Sequence, residues 1–312
     1  MRYDYGRPHQ GTSFEYNTFY RTLIRLVPAV VEFDFMTILQ QQGKEAMNRL
    51  LVETAGRERP DLIFFCLFTD EIERSTIDRL SANTEIFNWC CDDHWRFESF
   101  SRRFAPAFHS VSTTDPDALE KYDRIGCRSV LLLQWACNHY DYRKLDDAVD
   151  TFDVSFVGQP HGPRRRVIRC LTGRRIAVET FGKGWPNGRV TQSQMIRIFN
   201  SSRINLNLAN SSWNVHTAFR NREQIKGRNF EIPGCGGFLL TNYVRGLERY
   251  YVPGEEVACF RNDRELRRLV NHYLSHEDQR RTIAERGRQR TLGEHTYELR
   301  FRELFRSRGF AA

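Results

Sequence analysis

Short apolar runs rich in β-branched and aromatic residues alternate with amphipathic helical stretches along the whole chain, and this alternation constrains the fold most. Strands are expected at 29–35, 61–68, 84–91, 109–113 and 129–135, with helices at 13–26, 41–55, 70–81, 96–104 and 115–125. In the second half, strands are expected at 152–157, 176–181, 203–208, 237–241 and 257–260. Helices there are expected at 164–171, 193–200, 229–234, 263–274, 277–290 and 297–306. Near-continuous apolar strands have both faces buried, so strands separated by helices imply parallel sheets covered on both sides.

A turn-rich acidic segment, 138–150, interrupts the alternation and reads as a linker. It divides the chain into domains 1–145 and 146–312, both Rossmann-like and doubly wound. Two such domains facing one another hold a ligand in the cleft between them, at the carboxyl ends of their strands. A chain of 312 residues is long enough for this and needs no disulfide or metal staple. No apolar run approaches the roughly 20 residues of a membrane helix. The opening Met1-Arg2-Tyr3-Asp4-Tyr5-Gly6 carries no apolar signal region, so a cytoplasmic protein is expected. The segment 5–13 reads as the loop between a first strand and its helix, with Thr12 or Ser13 as cap. No strand precedes it, so either the first domain lacks its opening strand or the start codon is assigned too far downstream.

The charge is unevenly placed. Residues 1–150 carry 18 basic and 24 acidic side chains, a net of −6, while residues 151–312 carry 29 and 15, a net of +14. An anion is therefore expected mainly on the second domain. Of the 47 basic residues 42 are Arg, a bias that codon usage explains as well as function does. The Arg-rich helices from Arg264 to Arg308 carry regularly placed Leu, Ile and Phe and read as amphipathic with solvated faces. The eight cysteines include no C-x-x-C pair and mostly sit in apolar runs. They read as buried, reduced thiols, with no metal site expected.

The densest chemistry lies in Glu223-Gln224-Ile225-Lys226-Gly227-Arg228-Asn229-Phe230-Glu231-Ile232-Pro233-Gly234-Cys235-Gly236-Gly237. Two carboxylates eight positions apart bracket two cations, ahead of a short helix and a glycine cluster. Cations and helix N-terminal N–H groups neutralise a diphosphate. A carboxylate accepts hydrogen bonds from ribose hydroxyls, and glycines let backbone approach a ligand. The competing reading is a solvated charged loop ending in a helix-capping glycine.

These residues resemble the spore-maturation CgeB-like glycosyltransferases, a group of GT-B fold. The match runs through Phe87-Asn88-Trp89-Cys90-Cys91-Asp92-Asp93-His94-Trp95, Thr113-Thr114-Asp115 and Gln134-Trp135-Ala136-Cys137-Asn138. It continues through Phe156-Val157-Gly158, Gly182-Lys183-Gly184-Trp185, Ile204-Asn205-Leu206-Asn207-Leu208 and the Lys226 to Gly237 stretch, and closes at His295-Thr296-Tyr297 with Arg300-Phe301. The resemblance implies that Glu231 holds the donor ribose, Glu223 lies near the transferring sugar, and Lys226 and Arg228 face the diphosphate. It also implies that backbone at Gly158 and the helix from Asn229 to Gly234 approach the donor. Protein cations then stabilise the leaving nucleotide, so no metal or other cofactor is implied.

Asp92, Asp93 and His94 end a strand of the first domain. They can orient or deprotonate an acceptor hydroxyl, or the aspartates can cap the next helix. As a metal site the trio is short of ligands. Arg164, after Gly158-Gln159-Pro160-His161-Gly162, can meet phosphate. Lys183 and Trp185 can flank the nucleotide base, or the aromatic can simply pack. The polar stretch 210–222, with Trp213 and His216, is long enough to line a cleft and equally reads as surface.

The expectation is a hexosyl-transferring, retaining glycosyltransferase using a nucleotide-diphosphate sugar, with a glycan, glycolipid, protein or small-molecule hydroxyl as acceptor. Peripheral membrane contact is left open. Two alternatives stand beside it. One is a non-catalytic scaffold that binds nucleotide sugar. The other is a basic nucleic-acid-binding protein, which no groove-reading motif supports.

Overall fold

The computed structural model describes residues 1–127, 129–173, 176–210 and 223–311. The stretch 211–222, with Trp213 and His216, lies outside the described residues. The chain forms two compact units: residues 1–134 with 300–312, and residues 135–299. The boundary therefore falls ahead of the acidic segment, which belongs wholly to the second unit, and the end of the chain returns to the first. Both units are α/β with all-parallel sheets, as the alternation of runs requires.

In the first unit the strands are β1 (Leu62–Phe65), β2 (Glu85–Cys90), β3 (Ser110–Thr113) and β4 (Val130–Leu132). They lie in the order β1-β2-β3-β4, with Phe65 opposite Asn88 and Cys90 opposite Thr113. The helices are α1 (Arg21–Leu26), α2 (Phe35–Gln42), α3 (Lys44–Glu58), α4 (Arg74–Ser81), α5 (Asp93–Arg96), α6 (Arg102–Phe104) and α7 (Ala118–Arg124). β1 stops at Phe65 although the apolar run continues to Phe68, and the polar turn Asn83-Thr84 separates α4 from β2. Ile86, Phe87, Trp89 and Val111 have no accessible surface. Each large apolar side chain buried this way contributes about 1.5–3 kcal/mol. The rings of Phe19, Phe64 and Trp89 pack on Phe301, which explains why the end of the chain belongs with this unit.

Two expectations fail here. The run 29–35 forms no strand: residues 29–34 have no regular structure, and Phe35 begins α2. β-propensity needs a neighbouring strand to pair with. The expected helix 41–55 is divided at Gly43, whose φ of 83° is left-handed and ends α2 before α3 starts.

The second unit holds β5 (Phe152–Val157), β6 (Val178–Phe181), β7 (Ser202–Asn207), β8 (Leu239–Asn242) and β9 (Ala258–Phe260). Their order is β6-β5-β7-β8-β9. Its helices are α8 (Arg164–Thr172), α9 (Gln192–Asn200), α10 (Arg228–Gly234), α11 (Asp263–Ser275) and α12 (Glu277–Glu294), with α13 (Tyr297–Ser307) at the end of the chain. Thr191 opens α9 with a capping box, its hydroxyl accepting from the Gln194 amide while Gln194 reaches back. Val154, Ile204, Leu240 and Leu266 fill the core. Cys90, Cys127, Cys137 and Cys235 are buried, whereas Cys66, Cys91, Cys170 and Cys259 are half-buried. No helix among the described residues is long and apolar enough to cross a membrane.

Candidate functional site

In the second unit the sheet changes direction of winding between β5 and β7, because β6 lies on one side of β5 while β7, β8 and β9 lie on the other. Loops leave the carboxyl ends of such a strand pair in opposite directions and open a crevice there. Gly158 follows β5, and Leu208 to Asn210 follow β7.

Arg164, in the first turn of α8, ties these two loops together. Its Nη1 donates to Gln159 O (2.9 Å) and its Nη2 to Leu208 O (2.8 Å) and Asn210 O (2.9 Å). Burial and the nearby Arg228 cation hold its pKa down at about 10. The guanidinium is thus committed to three carbonyls, which corrects the expectation that it meets phosphate directly.

Arg228 opens α10. Its Nε donates to Val157 O (3.1 Å) at the end of β5, and its Nη1 donates to Glu231 Oε2 (2.9 Å) one turn along the helix. The Arg228 side chain is 29 % exposed, whereas that of Glu231 is 0 % exposed. Burial raises the Glu231 pKa, with Arg228 and the buried Tyr142 acting to lower it. Where the resemblance gives Glu231 to a ribose, this geometry gives it to Arg228: a fully enclosed carboxylate steadies the arginine.

Asn229 is also buried. Its Oδ1 accepts from the Lys226 amide (2.9 Å) and from Asn207 Nδ2 (2.9 Å), pinning the turn before α10 to β7. The Lys226 side chain is half-buried; burial lowers the pKa of half-buried His161, and the charges of Arg164 and Lys226 add to that lowering. His161 lies in the loop after Gly158 and belongs to the same cluster. Its signal in the sequence was only its place in a Gly- and Pro-rich turn after a strand.

Gly158 and Gly234 serve close packing. A Cβ at Gly182 would lie 2.4 Å from the Gly158 carbonyl oxygen, so the loops after β5 and β6 touch through bare backbone. Trp185 Nε1 donates to that same carbonyl (2.8 Å), and its ring packs edge-on to Phe156, so this aromatic is a packing residue. A Cβ at Gly234 would lie 2.3 Å from Cys137 Sγ, so Gly234 is bare to admit the thiol rather than a donor. Lys183 is exposed in the loop after β6, and no contact among the described residues joins it to the cluster.

Glu223 stands apart from Glu231. It bridges to Asn210 and lines a cavity of about 520 Å³ with Asn242, Arg261 and Arg264. Partial burial raises its pKa, and a hydrogen bond with Asn242 opposes the rise. The arginines of the last helices are largely engaged with glutamates, as in Arg281 with Glu277 and Arg290 with Glu294 (2.6 Å), which is the behaviour of a solvated helix face.

In the first unit, Asp92, Asp93 and His94 follow β2. The Asp92 carbonyl accepts from the Trp95 and Arg96 amides, but no aspartate side chain caps α5. Asp93 is 1 % exposed; its Oδ2 accepts from the buried Tyr122 hydroxyl (2.8 Å), and burial raises its pKa. It anchors β2 to α7 and does not face solvent. His94 Nε2 lies 3.8 Å from Asp115 Oδ1, beyond the end of β3. Thr114 Oγ1 donates to Cys91 O (3.2 Å), tying the ends of β2 and β3 together around this pair.

Residues 164–306 match the family model described as Glycosyl transferase-like. No curated protein matches the chain in sequence. Among solved structures, the chain is similar to sucrose-phosphate synthase from Thermosynechococcus elongatus. The TM-score is 0.59 at 13 % identity, over 85 % of this chain and 79 % of that one. HepE from Anabaena, in complex with UDP-glucose, gives 0.62 at 11 % identity, over 87 % of this chain and 88 % of that one. The pneumococcal O-GlcNAc transferase GtfA, in complex with UDP and GlcNAc, gives 0.58 at 9 % identity, over 86 % of this chain and 60 % of that one. These likenesses establish the GT-B type of fold.

Proposed function

We propose that the chain is a glycosyltransferase that moves a hexose from a nucleoside-diphosphate sugar, of the UDP class, to a hydroxyl acceptor. The observation that carries this reading is the cluster at the ends of β5 and β7. Lys226, Arg228, Arg164 and His161 crowd together, and the buried carboxylate among them is already bonded to Arg228. Positive charge in excess beside a helix N-terminus suits a diphosphate. The family match over 164–306 and the nucleotide-bearing neighbours support the same reading.

In this reaction the bond between the sugar C1 and the β-phosphate oxygen breaks as the acceptor oxygen bonds to C1. The acceptor proton passes to the departing phosphate. Lys226 and the exposed part of Arg228 offset the charge that grows on that phosphate, with Glu231 as positioning residue behind Arg228. These cations make the step independent of a metal, and transfer from the same face retains the anomeric configuration. Glu223 lies toward the sugar. His94, backed by Asp115, is the first-unit group suited to orient the acceptor hydroxyl, alongside Asp92. A CgeB-like member of the group working in the cytoplasm fits the sequence resemblance.

A thermal-shift series with UDP, GDP, dTDP and ADP at millimolar concentration tests the reading, because a ligand that binds only the folded state raises Tm by mass action. UDP is expected to give the largest shift, Lys226→Ala to weaken it about tenfold in apparent Kd, and His94→Asn to leave it unchanged while lowering transfer. Absence of a shift with all four nucleotides sinks the proposal. A shift without donor hydrolysis or transfer would leave a binding scaffold instead.

A further inference from the structure

Two of the half-buried cysteines meet at the carboxyl end of the first sheet. Cys66 directly follows β1, and Cys91 directly follows β2, the strand paired with it. They are 25 residues apart in the chain, yet their sulfurs lie 3.5 Å from one another, in hydrogen-bond contact. Both thiols are free, and both are partly open to solvent. Other sulfurs among the described residues meet nitrogen or oxygen instead. Cys90 accepts from Asn88 Nδ2 (3.1 Å), Cys170 accepts from Arg267 Nη1 (2.7 Å), and Cys127 and Cys137 reach carbonyls.

The backbone on either side holds the two sulfurs in place. Phe65 is paired with Asn88 in the ladder, and the Leu67 amide donates to Asn88 Oδ1 (3.2 Å), so Cys66 is fixed through both of its neighbours. Cys90 is paired with Thr113, and the Cys91 carbonyl accepts from Thr114 Oγ1. Two thiols held in this way meet at an effective concentration far above that of any thiol in solution. A disulfide holds its sulfurs at about 2 Å. Joining this pair therefore asks for a movement of roughly 1.5 Å, shared between two side chains and two strand ends.

We propose that Cys66 and Cys91 are a redox-modification site, a thiol pair that hydrogen peroxide converts reversibly to a disulfide. The Cys66 sulfur attacks one peroxide oxygen. The S–O bond forms as the O–O bond breaks, and the departing hydroxide leaves as water with the Cys66 proton. The Cys91 sulfur then attacks the sulfenic sulfur of Cys66. The S–S bond forms as the S–O bond breaks, and the second oxygen leaves as water with the Cys91 proton. The two sulfurs lose two electrons, which reduce the peroxide to two waters, and a dithiol reductant reverses the change by exchange. The order of attack follows from the contact itself. The hydrogen bond with Cys66, and then burial, push the Cys91 thiol up, so Cys91 keeps its proton and resolves the intermediate.

The consequence rests on the function proposed above and falls on the acceptor side. Asp92, Asp93 and His94 follow Cys91 directly. Closing the bond draws Cys91 toward β1 and away from the Thr114 hydroxyl, which lies beyond β3 on the other side. The turn that sets His94 3.8 Å from Asp115 moves with it. Lys226 and Arg228 belong to the second unit and keep their places.

The test treats the reduced chain with graded hydrogen peroxide, counts free thiols and maps linked peptides by mass spectrometry. Loss of one pair of thiols is expected, with a link between the peptides that carry Cys66 and Cys91 and full return under dithiothreitol. Cys91→Ser is expected to stop at a sulfenic acid on Cys66, labelled by dimedone, while Cys66→Ser and Cys66→Ala form no link. Oxidation is expected to lower sugar transfer about tenfold or more and to leave UDP affinity unchanged. Cys66→Ser keeps its activity at the same dose of peroxide. Thiols that persist, separate oxidation of each sulfur without a link, or a link between two copies overturns the proposal. A link within the chain that leaves transfer unchanged overturns its consequence for the acceptor side. The link and its reversal are read whether or not the chain transfers sugar, so failure of the proposed function shows separately.

Discussion

Removing the Arg228 side chain tests most directly how the cluster is built. Arg228→Met keeps the length of the side chain but leaves the Glu231 carboxylate, 0 % exposed, without its cation. Breaking a buried ion pair from one side costs roughly 3–5 kcal/mol, because a charge is left buried and uncompensated. Arg228 is itself 29 % exposed, so water screens part of the pair and the lower end of that range applies. For a unit of this size, about 3 kcal/mol corresponds to a fall in Tm of roughly 6–12 °C. The pH dependence has a definite sign. Burial already raises the Glu231 pKa in the folded state, and losing Arg228 raises it further. A carboxyl whose folded pKa is raised is most stabilising when protonated, below its unfolded value, and loses that contribution as pH rises through the folded value. The deficit of the variant is therefore expected to be largest near neutral pH and to shrink as pH falls toward 4, about the unfolded carboxylate pKa. Adding Glu231→Gln to Arg228→Met removes the orphan charge and is expected to restore more than half of the lost stability. UDP binding stays impaired in the double variant, because the cation is still missing. Denaturant unfolding at several pH values, with nucleotide titration of each variant, checks all three points. A deficit below about 1 kcal/mol, or one that grows on acidification, would refute the reasoning.

Arg164→Met is expected to cost about 2–4 kcal/mol, because three carbonyls lose a charge-assisted donor, and to raise proteolysis at the loops after β5 and β7; lysine at that position should rescue little, since it cannot reach Gln159, Leu208 and Asn210 together. Gly234→Ala is expected to lower stability by about 1–3 kcal/mol through overpacking on Cys137, and Cys137→Ala in the same chain to recover much of it, both read by denaturant unfolding.

The sequence by itself determined the class of the fold. The period of the apolar runs dictates helix or strand locally, and strands such as Phe152–Val157 came out where their composition placed them. It also drew attention to the stretch in which Lys226, Arg228 and Glu231 stand, because two cations, a carboxylate and glycines follow one another there. Partnership was decided only in three dimensions. Glu231 and Arg228 are three residues apart, yet nothing local says that the carboxylate turns inward to the arginine. Arg164 meets carbonyls 44 and 46 residues away, and Gly234 yields its space to a thiol from a distant turn. Asp93 was legible as a strand-end carboxylate, but its burial against Tyr122 comes from packing between β2 and α7. Segment 29–34 states the division most clearly. Its residues prefer a strand, but a strand is a pairing and not a property of one segment, so only the tertiary structure decides whether that preference is realised.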